Sequence, residues 1–108
     1  MGRILSRPAV TLMMSDQLTP EIRASSPGLS IFLGRQSWGF GGAVVIRSDD
    51  IAATPGRYGW EGGPGTSWQI DPAEGLAAIP LTQASFAGPG APTILNDFWT
   101  TAYQALDD

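Results

Sequence analysis

The chain has 108 residues, a formal charge of −4, 43% apolar and 15% charged residues, and neither His nor Cys; its six basic residues are all Arg and are scattered. That length and composition suit one globular domain with a thin core, and the acidic balance argues against a nucleic-acid or anionic-membrane partner. Without Cys, His or Lys, the sequence offers no thiol chemistry, no disulfide, no zinc site of the usual kind, no imidazole triad and no lysine base, so neither a metal nor another cofactor is expected.

The first segment, SRPAVTLMMSDQL, opens on Ser6 as a helix cap with Pro8 in the first turn. Val10, Met13, Met14 and Leu18 recur near helical spacing, which predicts a helix over 7–16. No apolar run reaches the roughly 20 residues a membrane span needs, and the start has no signal-type core with a small-residue cleavage site; the compartment stays open. TPEIRASSPGLSIFLGRQ carries two prolines and two glycines without clear period, and reads as an irregular connection with a short strand at LSIFLG.

SWGFGGAVVIR alternates. Trp38, Phe40, Gly42, Val44 and Ile46 fall on one face of a single expected strand, with Gly39, Gly41, Ala43 and Val45 on the other. After the loop SDDIAATPG, the segments RYGWEGG and TSWQID read as two strands joined at Gly63-Pro64-Gly65-Thr66, where Pro and Gly suit the centre of a type II turn. That turn sets Trp60 opposite Gln69 and Glu61 opposite Trp68, with the two tryptophans on opposite faces. DPAEG is a turn, and LAAIPLTQ a last strand whose Pro80 lacks a donor and belongs at an edge or bulge. The closing segment places Ile94, Leu95, Phe98, Trp99, Ala102, Tyr103 and Leu106 in one helical stripe, a face that needs a sheet to lie on. The expected class is α+β: a small antiparallel sheet packed by an N-terminal and a C-terminal helix.

Glycine-rich stretches suggest phosphate loops, but a P-loop needs a Lys, and GFGGAVV runs into strand where a dinucleotide site needs a helix. Asp49, Asp50, Asp71 and Glu74 fall in expected turns without calcium-loop spacing and read as solvated turn acids. Phe98, Trp99 and Tyr103 read as core rather than as a base-stacking platform. Glu61 is the acid inside an expected strand; it fits an ion pair with Arg47 or Arg57, or a role toward a ligand.

The ordered set SWGFGGAVVIR, YGWEGGPGTSW, DPAEGL, a strand ending LTQ and the aromatic helix DFWTTAYQAL resembles the C-terminal portion of the serine β-lactamase-like hydrolases, which include class C β-lactamases, DD-peptidases and related esterases. The resemblance implies a partial β-lactamase/transpeptidase-like fold in which 1–108 is a single C-terminal segment, with the family's N-terminal strands and helical domain absent. It places Trp60-Glu61-Gly62 at the third active-site motif of that family, so that Trp60, Glu61 and Gly62 border the substrate and the backbone N–H of Gly63 is one of two oxyanion donors. Trp at the position of the family's Lys favours ester or other non-lactam substrates. The family's Ser-x-x-Lys cannot occur in a chain without Lys, and neither tyrosine begins a Tyr-x-Asn. The implied function is therefore the cleft-bordering part of a serine hydrolase that cleaves a small ester or amide and is inactive alone. The alternative is a non-catalytic stand-alone module or degenerate remnant. Exposed sheet surface left by missing strands would promote self-association.

Overall fold

The structure is a computed structural model of the chain, described over residues 2–29, 33–34, 36–88 and 92–106. Two short helices, α1 (Arg7–Met13) and α2 (Pro20–Ser25), precede strands β1 (Gln36–Trp38), β2 (Ala43–Val45), β3 (Tyr58–Gly62), β4 (Thr66–Asp71) and β5 (Leu76–Ala78), and helix α3 (Thr93–Gln104) closes the chain. The sheet is an antiparallel meander in the order β1-β2-β3-β4-β5, and the α+β class read from the sequence is the class observed.

Helix α1 starts as its sequence dictates. Ser6 Oγ accepts from the Ala9 N–H at 3.2 Å, with Pro8 in the first turn. It stops three residues short of the expected end because the Met13 carbonyl accepts from the Phe40 N–H at 2.8 Å, a tertiary bond that draws the chain onto the sheet. Helix α2 lies where an irregular connection was expected. Thr19 accepts from the Ile22 N–H and Pro20 takes the first position, so this proline starts a helix instead of breaking one. Of the strand expected at LSIFLG, residues 30–32 lie outside the described residues, while Leu29, Leu33 and Gly34 are not in a strand: Leu29 and Leu33 are helical and Gly34 lies in a turn.

The single strand expected over SWGFGGAVVIR is instead a hairpin. Gly39–Gly42 reverses the chain, the Gly39 N–H donates to the Gly42 carbonyl at 2.8 Å, and Trp38 pairs with Ala43. Regular alternation therefore ran across a turn that three glycines permit. The next hairpin also departs from expectation, by one residue. Gly62 pairs with Thr66, the Gly65 N–H closes the turn on the Gly62 carbonyl at 2.9 Å, and Gly65 sits at φ 110°, which only glycine adopts easily. Trp60 then pairs with Trp68, and Glu61 with Ser67. A one-residue slip turns every side chain over, so the two tryptophans share a face.

Asp71 Oδ1 accepts from the Ala73 and Glu74 N–H groups at 3.1 and 3.2 Å and so shapes the next turn. Strand β5 forms the sheet edge but ends at Ala78, so Pro80 follows the strand instead of lying within it as LAAIPLTQ was expected to place it. Beyond it the Pro80 carbonyl accepts from the Ser67 N–H at 3.0 Å, and Leu81 bridges to Thr66. Helix α3 buries Leu95, Trp99 and Tyr103, spaced by four, while Ile94 remains half exposed. Ala52 packs against Trp99 and Tyr103, with Leu76, Ala78 and Phe98 at the margin. Two hydrogen bonds fix this helix to β4: Trp99 Nε1–H donates to Ser67 Oγ at 3.1 Å, and the Tyr103 hydroxyl donates to Asp71 Oδ2.

Candidate functional site

Alternation along β3 and β4 divides the residues of interest between the two sides of the sheet. Glu61, Ser67 and Asp71 lie on the side covered by α3, as the bonds from Trp99 and Tyr103 require. Tyr58, Trp60, Trp68 and Ile70 lie on the other side. There Trp60 meets Trp38 edge to face, ring centroids 4.9 Å apart, and Tyr58 meets Trp68 at 5.8 Å. Trp38 and Trp60 border an apolar groove of about 370 Å³ whose other wall includes Leu18, Ile22, Leu29 and Leu33. The Tyr58 hydroxyl donates to the Phe40 carbonyl, which ties the glycine hairpin to β3.

The end of β3 presents backbone. Gly63 is exposed at the start of the turn. Its carbonyl accepts from the Phe86 N–H at 2.8 Å, whereas its own N–H has no partner among the described residues. A Cβ at Gly63 would meet nothing within 4 Å, while one at Gly62 would lie 2.6 Å from Thr66 Oγ1. Trp60, Gly62 and Gly63 thus follow one another along one strand end with the indole 37% exposed. Glu61 points to the other face.

Burial raises the Glu61 carboxyl above its ordinary value, while the charge of Arg57 and a hydrogen bond from Ser67 act in the opposite sense. No ion pair joins Glu61 to either arginine among the described residues: Arg47 pairs with Asp49 at 3.1 Å, and Arg57 stacks its guanidinium over the Trp99 and Tyr103 rings, 5.5 and 5.8 Å from their centroids. The ion-pair reading of Glu61 is corrected accordingly, because Arg57 is held by aromatic faces. Asp71 is corrected as well. It is 2% exposed and bonded to Tyr103 rather than solvated, whereas Asp49, Asp50 and Glu74 are exposed. The buried Arg57, Ser67, Asp71 and Tyr103 set escaped the sequence reading; correct pairing of the hairpin would have put Ser67 and Asp71 on the helix side.

Among the described residues no group of His, Cys, Asp and Glu could hold a metal ion, and no helix is long and apolar enough to cross a membrane.

Comparison with known proteins defines the class of fold. The chain superposes on simvastatin synthase (LovD) from Aspergillus terreus, in its unliganded selenomethionyl form, with a TM-score of 0.70 and 26% identity over 96% of this chain and 30% of that one. The fold is β-lactamase-like and related to that of serine hydrolases. In sequence, Protein Rv1367c and Uncharacterized protein MT1414, from two strains of Mycobacterium tuberculosis, are each 35% identical over 91 residues, 75% of this chain and 21% of theirs. The chain spans about a fifth of the length of the curated relatives it matches. No family model matches the sequence.

Proposed function

We propose that this chain is the C-terminal, cleft-bordering part of a β-lactamase-related serine hydrolase that cleaves a small ester or amide through a Ser acyl-enzyme. The observation that carries the reading is the N–H of the exposed Gly63, unpartnered among the described residues, at the end of a hydrogen-bonded strand, on a fold of this type. Acyl transfer needs donors fixed where charge develops on the tetrahedral oxygen, and a strand end held by its neighbours supplies one at no reorganisation cost. Trp60 forms a wall of the cleft, and at Gly63, where a Cβ would meet nothing within 4 Å, the substrate approaches the backbone, while the missing Cβ of Gly62 makes room for Thr66 Oγ1. Glu61 lies on the opposite face of the strand, away from the Trp60 wall.

The nucleophile and base come from outside these 108 residues, which hold no Ser-x-x-Lys. A fluorophosphonate probe, which phosphonylates activated serines with loss of fluoride, tests this: the chain alone stays unlabelled, and a longer protein carrying this segment is labelled at the Ser of an upstream Ser-x-x-Lys. A longer protein without that motif, or one left unlabelled when folded, overturns the reading. The second reading, a stand-alone module, is favoured by the missing nucleophile, and it predicts cooperative unfolding of the chain as a stable species by itself.

A further inference from the structure

Beneath α3, on the face of the sheet away from Trp60, lies a cavity of about 160 Å³ lined mainly by polar groups, among them Gln36, Asp50, Arg57, Glu61, Asn96 and Thr100, with Trp99 as its aromatic wall. Arg57 is 6% exposed, and its Nε and Nη1 atoms are buried with no hydrogen-bond partner among the described residues. A buried charge without partners is among the costliest features a fold can carry, and orphaned buried donors beside a cavity indicate an occupant that accepts hydrogen bonds. Stacking on Trp99 and Tyr103 supports the guanidinium from its faces but supplies no in-plane acceptor. Glu61, the nearby carboxylate that acts on Arg57 through its charge, forms no ion pair with it among the described residues.

We propose that this cavity is a binding site for a small carboxylate or an oxyanion of similar size, held by the buried guanidinium of Arg57. The anion accepts from the unpartnered N–H groups and compensates the arginine charge, and the amide and hydroxyl groups of Gln36, Asn96 and Thr100 complete a polar lining. Glu61 and Asp50 are like charges on the cavity wall that oppose the ligand, so the site binds weakly and gains from the loss of either. The site is independent of the acyl-transfer reading, because it is on the opposite face of β3 from Trp60.

The test uses the 108-residue chain labelled with ¹⁵N. The Arg57 Nε–H resonance, recognised by its contacts to the Trp99 and Tyr103 rings, is followed through a titration with sodium acetate at pH 7, with sodium chloride at matched ionic strength in parallel. A saturable shift in acetate that chloride does not reproduce is the expected result. Glu61→Gln should tighten acetate binding by roughly three- to tenfold, the effect of removing one like charge from a partly solvated site. Arg57→Met should abolish the binding; should that variant not fold, the Glu61→Gln comparison decides. An Nε–H signal unmoved by acetate, which means a cavity filled by water alone, overturns the proposal. So does an equal response to chloride, or an affinity unchanged in Glu61→Gln.

Discussion

A methyl group at Gly59 would lie 2.0 Å from the Trp68 carbonyl oxygen and 2.8 Å from Gln69 Cα, both backbone atoms of the neighbouring strand. Gly59→Ala must push β3 and β4 apart, and the expected loss is about 3 kcal/mol or more, the upper range for overpacking, measured by urea unfolding. Glu61 behaves in the opposite direction. Its carboxyl is raised by burial, so folding favours the protonated form; that advantage is full below the unfolded value and is lost as pH rises through the folded one. Glu61→Gln should therefore leave stability at pH 4 nearly unchanged and raise it at pH 7. The Tyr103 phenol is pushed up to about 12, first by burial and then by its bond to Asp71. The same sign applies: its contribution is complete below the ordinary tyrosine value near 10 and is lost between there and about 12. The difference in stability between the parent and Tyr103→Phe should shrink over that window, as paired thermal melts would register.

At the scale of elements, α3 holds the core closed. Leu95 is fully buried in its first turn, and Leu95→Ala is expected to cost about 2–5 kcal/mol, a loss visible in denaturant midpoint with little change in slope. This helix was legible in the sequence because its stripe of Leu95, Trp99 and Tyr103 recurs every four residues, and no glycine interrupts it. The sheet strands were legible in kind but not in pairing. A strand read from alternation carries no register of its own; the turn sets it, and Gly63-Pro64-Gly65 admits two turns one residue apart. The Gly65 φ of 110° and the Thr82 N–H and hydroxyl on the Gly65 carbonyl select the observed one, and Thr82 is 17 residues away. The hairpin at Gly39–Gly42 was hidden for a related reason: glycine satisfies an alternating pattern on its bare face and a turn equally well. Helix α2 was written in Thr19, Pro20 and Glu21, a capping sequence that looked like a break because a second proline follows at Pro27. Of the candidate site, the run Trp60 to Gly63 was visible as a motif, while the Arg57 cavity emerged only when β3, β4 and α3 came together.

For the whole molecule, the surface is more apolar than a free-standing domain of this size needs. Leu5, Leu12, Ile79, Leu81 and Ile94 are between 47 and 74% exposed, and α1 buries none of its residues. Such surface favours association, so sedimentation of the isolated chain should show mass rising with concentration in the micromolar range, and a monodisperse monomer at all concentrations would contradict that. The central claim concerns Gly63, and steady-state kinetics of a longer protein carrying this segment test it most directly. With Gly63→Pro removing the N–H donor while circular dichroism confirms the fold, ester turnover is predicted to fall by about two to three orders of magnitude, with a smaller change in KM. Unchanged turnover in the folded variant would show that this strand end does not hold the oxyanion.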